Sequence, residues 1–483
     1  MKKLQLKNSF RPVLALGLSA MLMLGACSKV NEQVPYENIN PEDVFNSPAR
    51  IEKAAIGMYD ALQNAEFLGG RALIYIDQRG NDVNVASYFG QIPTFNMLSN
   101  NGTALLAWTG AYRTIFEANY FMGNLQKNES VIGADAAAVY YAEAKFCRAV
   151  TYYYLVNIFA QTYVYTTDAS HPGVPLMTTA PMTGGEAFDP KWKMPRATVK
   201  QVYDQIIKDL TEAAVDLPDD WGSGYATHTR ATKGAANGLL SRVYLTAGNW
   251  AQANAAADKV IASPADYDLD SDPYTSFNRP TYNTSSEIIF NIAMNNSDNP
   301  NTNNAIGQHY SPSGRGDITV NPDYLTLPNF GPSDKRKNDT MIVGVGSANY
   351  TGKYAETPFD SWVPILRYAE VLLNKAEALA RIDAGVSQDA LDIINEIRDR
   401  SNATALALPA TKQALIDLIL NERRIELAFE GFGMIDFVRT KRNIPARGAN
   451  QPEQDWNDNL TPWPIPFQET QQNTNLAQNP GYN

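Results

Sequence analysis

Apolar residues between Pro364 and Arg398 recur at three- and four-residue spacing, which is the spacing of one face of an α-helix. The apolar positions are Ile365, Tyr368, Leu372, Ala376 and Leu379. Polar residues with the same spacing predict a second, polar face: Arg367, Glu370, Asn374, Glu377 and Arg381. Pro364 is expected to start this helix, because proline fits only the first turn. Gly385 predicts its end and Ser387 predicts the N-cap of a second helix, so the stretch predicts a helical hairpin.

Such a hairpin resembles a tetratricopeptide repeat unit, which buries its apolar face only against related units elsewhere in the chain. Residues 232–263 predict a second hairpin, with a turn at Gly248-Asn249-Trp250 between its helices. Periodic apolar positions predict further helices in these ranges: 48–62, 108–125, 136–159, 198–217 and 411–429. The predicted fold class is mainly α, with about four tetratricopeptide-like helical hairpins and few short strands.

Two stretches break this helical pattern. Residues 264–362 form a loop-rich insertion that is rich in Asn, Pro, Gly, Tyr and Phe, with one predicted strand at 287–292. Residues 67–105 also show little periodicity. Long irregular segments inside a compact fold are usually functional, so we expect ligand contacts in these two stretches.

The N-terminus has the pattern of an export signal. Four basic residues precede a short apolar run from Val13 to Leu24, and the run ends at Leu24-Gly25-Ala26-Cys27. This ending resembles the bacterial lipobox, which predicts cleavage after residue 26 and lipidation of Cys27. The alternative is an ordinary secretory signal with a cysteine there by chance. Residues 27–46 are then expected to be a polar tether, and 47–483 a single domain.

Composition narrows the possible function classes. The chain carries a formal net charge of −11 and has no basic stripe, which makes it a poor candidate for nucleic-acid binding. Cys147 is the only cysteine besides Cys27, and its apolar helical neighbours favour a buried, unreactive thiol.

Several motifs, in this order along the chain, resemble the SusD/RagB family of outer-membrane lipoproteins of Bacteroidetes. They are TRATKGAANGLLSRVYLTAGNW, PILRYAEVLLNKAEALAR, NERRIELAFEGFGMIDFVR, PWPIP and NTNLAQNPGY. One departure is EGFGMIDFVR, where the family usually has Arg-Trp or a similar pair after Gly-Phe. The resemblance implies an α-helical lid on a SusC-like TonB-dependent transporter in the outer membrane. It implies no enzymatic activity and no cofactor, and it implies that the lid captures an oligosaccharide or, in some members, a peptide.

The resemblance also implies a nutrient site in loops outside the repeats, while the repeat side meets the transporter. It implies display on the outer face of the membrane, although Ser28–Glu32 supplies only one of the acids that often follow a surface-display cysteine.

A sugar-binding surface needs flat aromatic rings for the C–H face of the sugar, and amides, carboxylates or guanidinium groups for its hydroxyls. The two irregular stretches supply both. The candidate ligand-binding residues are Asp82, Tyr88, Phe89, Asn96, Asn101, Tyr282 and Tyr310. For each ring the alternative is packing in the loop core. Trp192 and Trp221 flank loops and are similar candidates, whereas Trp108 and Trp250 lie at helix positions that favour packing.

The sequence gives little support for a metal site or for a catalytic site. The alternating acids Asp266, Asp268, Asp270 and Asp272 suggest calcium, but the loop lacks the Gly and the final Glu of an EF-hand, which favours a solvated turn. Glu422, Glu426 and Glu430 stand beside two arginines, so a charged helix face is favoured over catalytic carboxylates. The three histidines are scattered without a zinc motif, and no nucleophile elbow or phosphate loop is present.

The sequence therefore predicts a surface glycan-binding lipoprotein that is not an enzyme. The alternative within the same class is a peptide-binding lid. A glycoside hydrolase is a different class, and it would require a carboxylate pair about 5–10 Å apart across one cleft. A repeat scaffold for protein partners alone would not need the loop aromatics for nutrient binding.

Overall fold

The structure is a computed structural model. It describes residues 41–300, 303–355, 357–447 and 451–482. The predicted signal segment 1–26, the lipidation residue Cys27 and most of the predicted tether lie outside these residues. From Pro41 onward the chain is folded, because Pro41–Val44 form a short helix and Phe45 is buried. The Phe45 ring packs 5.7 Å from the ring of Phe121.

Helices make up most of the described chain. In chain order they are α1 Pro41–Val44, α2 Pro48–Leu62, α3 Arg71–Asp77, α4 Gly102–Asn128, α5 Ala134–Phe159, α6 Val199–Asp216, α7 Gly224–Thr229, α8 Lys233–Thr246, α9 Trp250–Ile261, α10 Ile306–Tyr310, α11 Pro322–Leu325, α12 Tyr368–Ile382, α13 Gln388–Arg400, α14 Lys412–Leu427, α15 Gly433–Arg439 and α16 Phe467–Gln472.

The long helices pack side by side in chain order. α2 contacts α4, α4 contacts α5, α5 contacts α6, α6 contacts α8, α8 contacts α9, and α9 contacts α12, which also packs against α13 and α14. This arrangement confirms the predicted mainly α class with helical hairpins; the tetratricopeptide character of each hairpin stays a prediction. Within the described residues the strands are short and form three antiparallel pairs. They are β1 Val83–Val85, β2 Ile288–Ile292, β3 Ile318–Val320, β4 Ile342–Val345, β5 Ala348–Thr351 and β6 Val363–Arg367.

Local capping signals predicted several helix starts correctly. At α6, Thr198 and Gln201 form a reciprocal capping box: the Gln201 N–H donates to the Thr198 hydroxyl at 3.1 Å, and the Thr198 N–H donates to the Gln201 side chain at 2.9 Å. The Ser387 side chain caps α13. These contacts involve residues three apart in sequence, so the sequence alone determines them.

The prediction that Pro364 starts a helix is wrong. Residues 363–367 form β6, which pairs with β2, and α12 begins only at Tyr368. Every residue of β2 and β6 is buried. The run Val-Pro-Ile-Leu is therefore buried as part of a strand pair, and the helix with its apolar face begins only after it. Pro364 lies opposite Asn291, beside an irregularity in the pairing register, where a missing N–H is tolerated.

The predicted charged face at Glu422, Glu426 and Glu430 is buried. In α14 and the residues after it, Glu422, Glu426 and Glu430 are each at most 3% exposed. They belong to a cluster of five basic and five acidic residues, which we call the buried ion network. Its members are Glu287, Asp334, Arg336, Lys353, Arg367, Arg398, Arg400, Glu422, Glu426 and Glu430. The sequence did not indicate this burial, because the partners come from the loop-rich insertion, from β6 and from α13, which helix periodicity does not reveal.

Arg367 is central to this network. Its guanidinium donates to both oxygens of Glu430 at 2.8 Å and also pairs with Glu287 and Glu426. Burial raises the pKa of the Glu430 carboxyl, but Arg367 and Lys353 outweigh that effect and hold the pKa below its usual range. Glu430 is therefore ionised and paired at neutral pH.

We expect Arg367→Met to lower the free energy of unfolding by about 3–5 kcal/mol, because it leaves buried carboxylates without their partner. Urea unfolding of the soluble chain from Ser28 onward, followed by circular dichroism, measures this loss. The matched control is Lys200→Met, which removes an ion pair with Asp204 whose two side chains are more than half exposed. The control is expected to leave the urea midpoint unchanged. An equal loss in both variants would contradict a special role for the buried network.

Candidate functional site

The two irregular stretches that the sequence singled out lie side by side. β1 from the first stretch pairs with β3 from the second, with Val83 opposite Val320. The Tyr310 hydroxyl donates to Asp77 at 2.7 Å across the same junction. The surface formed by 77–101 and part of 264–362 is therefore a product of tertiary pairing between segments more than 200 residues apart.

Tyr88 is the exposed aromatic ring of this surface. It stands in a short helical turn, Ser87–Phe89, directly after β1, and 46% of the residue is exposed. Its hydroxyl accepts a hydrogen bond from Arg71 at 3.0 Å, and the guanidinium carbon of Arg315 lies 4.0 Å from its ring centroid. Phe89 is buried and packs edge-on against it, with centroids 5.1 Å apart. The ring is therefore held in place while nearly half of the residue faces solvent.

The two arginines beside Tyr88 are themselves fixed. Arg71 donates to Glu66 and to the carbonyl of Asn303, both at 2.9 Å. Arg315 donates to Asp317 at 2.6 Å. Because each guanidinium has a carboxylate partner, the surface offers oriented donors without a large excess of positive charge.

His309 lies beneath the ring. It is fully buried, and its centroid lies 5.0 Å from that of Phe89 and 5.7 Å from that of Tyr88. Burial lowers the pKa of His309 to about 4, although Asp317 opposes the shift. The imidazole is therefore neutral at neutral pH, and we assign its proton to Nδ1, which lies 3.0 Å from the Asp317 carboxylate. Arg71, Tyr88, Phe89, Asn303, His309, Arg315 and Asp317 together are called the Tyr88 surface.

The other candidates from the first stretch lie elsewhere. Asp82 is buried and accepts a hydrogen bond from Arg424 at 2.5 Å. The Asn101 side chain caps α4 by accepting from the Thr103 N–H at 2.9 Å. Asn96 is exposed on the same stretch. Asp82 and Asn101 therefore have structural roles, Asp82 by its bond to α14 and Asn101 by capping α4.

Tyr282 and Tyr310 are buried in the insertion. Tyr282 is 3% exposed and stacks on Trp362 with centroids 4.6 Å apart. Tyr310 is 1% exposed and holds Asp77 through its hydroxyl. In this conformation both rings support the surface from within and do not face solvent.

Sequence reasoning missed Arg71, Asn303 and Arg315, and considered His309 only as a zinc ligand. Arg315 contacts Tyr88 from a segment more than 200 residues away, and Asn303 is linked to Tyr88 only through Arg71. No local spacing in the sequence reports such contacts. The one available signal was the sequence Ser-Gly-Arg-Gly at 313–316, in which Gly316 adopts a positive φ of 60° and presents Arg315 on a tight turn.

The aspartates considered for calcium order a loop. Asp270 is buried and accepts hydrogen bonds from the hydroxyls of Ser276 at 3.0 Å and Ser285 at 2.5 Å. Across the described ranges, no group of three or more His, Cys, Asp or Glu side chains is arranged to hold a metal ion. Within the same ranges, no helix combines the length and the apolar character needed to span a membrane. Cys147 is fully buried, and burial raises the pKa of its thiol.

Two protein-family models match the chain. Residues 32–245 match a SusD-like model described as "Starch-binding associating with outer membrane", and residues 330–482 match the SusD family model. SusD-like protein P2 of Formosa agariphila is 29% identical, over 96% of this chain and 98% of that protein.

Solved structures agree with these matches. A SusD superfamily protein from Bacteroides fragilis has a TM-score of 0.79 and 30% identity, covering 90% of this chain and all of that one. A SusD superfamily protein from Bacteroides vulgatus has a TM-score of 0.78 at 24% identity, over 91% of this chain and all of that one. These findings confirm the resemblance noted from the sequence motifs.

We expect His309 to titrate near pH 4, well below the usual pKa of about 6.5 for histidine. Because the unfolded chain takes up this proton first, His309 should reduce folding stability progressively as the pH falls from about 6.5 towards 4. NMR titration of the imidazole signals measures the midpoint, and comparison with His309→Phe assigns the signal among the three histidines. A midpoint near 6.5 would contradict the buried, neutral state.

Proposed function

Because the chain belongs to the SusD/RagB family, we propose that it is a surface lipoprotein that captures an oligosaccharide and delivers it to a partner SusC-like TonB-dependent transporter. The starch-binding description of the matching family model supports a carbohydrate as the ligand and the outer membrane as the location. The observation that carries the ligand proposal is Tyr88, which is 46% exposed and is held by Arg71 at its hydroxyl and by Arg315 at its ring.

The Tyr88 surface has the chemistry that a pyranose requires. The apolar C–H face of a sugar packs against an aromatic ring, and its hydroxyls bind donors and acceptors around the ring. Here Arg315 is a partly exposed donor and Asp317 is an acceptor, while the buried Arg71 holds the Tyr88 hydroxyl from within. Since Asp317 holds Arg315 and Arg71 holds Tyr88, the sugar meets groups that are already positioned, which lowers the entropic cost of binding.

The same contacts support capture rather than hydrolysis. A glycoside hydrolase needs one carboxylic acid that donates a proton and a second carboxylate that acts as base or nucleophile. Glu66 and Asp317, the carboxylates at this surface, each accept a charge-assisted hydrogen bond from an arginine. Each of the two carboxylates therefore already has a structural role, which is to hold an arginine in place.

The lipid anchor and the transporter complete the proposal. We place the anchor on Cys27 after removal of residues 1–26, and we place the folded body on the outer face of the membrane. A tether between Cys27 and the first buried residues would let the body move over the transporter while it stays attached.

We expect the soluble chain from Ser28 onward to bind one class of polysaccharide without producing fragments. Affinity electrophoresis and calorimetry against plant, host and microbial glycans and against peptide mixtures test this, with product analysis on the same samples. Tyr88→Ala should weaken binding about tenfold, which corresponds to about 1.4 kcal/mol. Tyr165→Ala is the matched control, because it removes a partly exposed tyrosine far from β1 in sequence.

Each outcome has a distinct meaning. Shortened glycan products would overturn the non-enzymatic proposal. Binding of peptides alone would replace the oligosaccharide with the peptide ligand of the alternative lid. Equal losses in Tyr88→Ala and Tyr165→Ala would remove the Tyr88 surface as the glycan contact.

We expect Cys27→Ala to move the protein from the membrane fraction to the soluble fraction, because acyl chains on this residue supply the anchor. Cell fractionation with immunoblotting measures the change. The control is Cys147→Ala, which removes the buried thiol and should leave the protein in the membrane fraction. Membrane retention of Cys27→Ala would refute the lipid assignment.

A further inference from the structure

A second aromatic cleft lies on residues that the Tyr88 surface does not use. Its walls come from α4, from the loop between Pro175 and Met194, and from the C-terminal segment that includes α16. Its volume is about 340 Å³. We call it the Trp192 cleft, and its lining includes Trp108, Tyr112, Arg113, Trp192, Glu469 and Asn473.

The three aromatic residues of the cleft are fixed by their own polar atoms and by packing. The Tyr112 hydroxyl donates to the carbonyl of Pro175 at 2.8 Å, and the Trp192 indole donates to the carbonyl of Glu186 at 2.8 Å. Trp108 packs edge-on against Phe159, and its ring lies 4.9 Å from that of Tyr112. Tyr112 and Trp192 are therefore held at the wall of the cavity, while Trp108, which is buried, supports the Tyr112 ring from within.

Polar groups stand around this platform. Glu469 lines the cleft together with Trp108, and burial raises the pKa of its carboxyl although Trp108 opposes the shift. Arg113 is exposed and lines the same cleft. Asn473 donates to the carbonyl of Met194 at 2.8 Å, which ties the C-terminal segment to the loop that carries Trp192. The cleft thus combines aromatic rings with an acceptor and a cationic donor.

This combination selects among possible ligands. A cationic ligand would suit the rings and Glu469, but Arg113 opposes it. A purely apolar side chain would displace water from Glu469 and Arg113 without offering them hydrogen bonds. A pyranose suits the rings, Glu469 and Arg113 together, because it has a C–H face for the rings and hydroxyls for the two charged groups. The volume lies at the lower end of the range of about 300–1,000 Å³ for small-molecule pockets, which suits one or two sugar units.

We propose that the Trp192 cleft is a second saccharide subsite that takes a pyranose unit of the glycan, an inference that rests on the proposed glycan-binding function. The cleft and the Tyr88 surface share no residue. Two subsites on one chain raise the apparent affinity for a polymer that reaches both, with no new contact required at either one. The protein would then prefer long glycan chains over short fragments.

The test compares Trp192→Ala with two matched variants. Phe188→Ala removes an aromatic residue of the same loop that is 88% exposed and does not line the cleft. Trp192→Phe retains a ring at the cleft. Calorimetry with an oligosaccharide of the bound glycan gives the number of sites, and affinity electrophoresis with the polymer gives the avidity. Urea midpoints of all variants show that each one is folded.

We expect two oligosaccharides per wild-type chain, with the affinity of one site reduced about tenfold in Trp192→Ala and that of the other reduced about tenfold in Tyr88→Ala. Polymer retention should fall about tenfold or more in Trp192→Ala, fall less in Trp192→Phe and stay unchanged in Phe188→Ala. Loss of the remaining retention in the double variant Tyr88→Ala/Trp192→Ala would further support the subsite.

Failure of this inference is distinct from failure of the proposed function. If the wild type binds glycan with a stoichiometry and retention that Trp192→Ala leaves unchanged, the subsite is overturned and glycan capture stands. If Trp192→Ala alone abolishes binding, the cleft is supported and the Tyr88 surface loses its role. If no glycan retains the wild-type chain, both proposals are overturned.

Discussion

The buried ion network is the constraint on which the arrangement of this fold depends. Arg367 stands at the junction between β6 and α12 and joins Glu287, next to β2, to Glu430, which follows α14. Arg400 of α13 pairs with Glu287 and Glu426, both at 2.7 Å. Removing charges from water is costly, and the cost is offset only when every charge finds a partner with good geometry. The network meets this condition with equal numbers of acids and bases. They come from the insertion, from β6, from α13 and from the stretch between Glu422 and Glu430.

Through these ion pairs the irregular insertion is bound to the helical body. Lys353, which follows β5, donates to Glu430 at 2.6 Å and also to the backbone carbonyls of Glu426 and Ala428. The described part of the insertion has only short helices, but it adds buried apolar side chains such as Phe290, Tyr310 and Tyr354 to the common core. The ion pairs add directional contacts to this apolar packing, and such contacts favour one arrangement of the insertion over others.

The position of the insertion in turn decides what reaches the surface. Since β3 belongs to the insertion and β1 to the segment before α4, their pairing sets Arg315 against the ring of Tyr88. Tyr310, a few residues earlier, is buried and bound to Asp77. Two tyrosines from regions of the same composition thus have different roles, one as an exposed platform and the other as an internal support.

The sequence by itself determined the features that rest on contacts between near neighbours. Apolar residues at helical spacing predicted the long helices, and Thr198 with Gln201 predicted the start of α6, because these contacts span three or four residues. The motifs from residue 229 to the C-terminus were sufficient to indicate the family. The strand at β2 was also predicted, since a run of buried apolar residues is visible without knowledge of its partner.

Only the tertiary structure decided which polar faces are buried and which aromatic rings are exposed. Glu426 on α14 has the local pattern of a solvated residue, yet its partners lie on α13, on β6 and in the insertion. Tyr88 and Tyr282 have equally irregular surroundings in sequence, but one is exposed and the other stacks on Trp362. Helix periodicity reports which side of an element is apolar. It does not report what covers the other side, because that depends on segments brought together only when the chain folds.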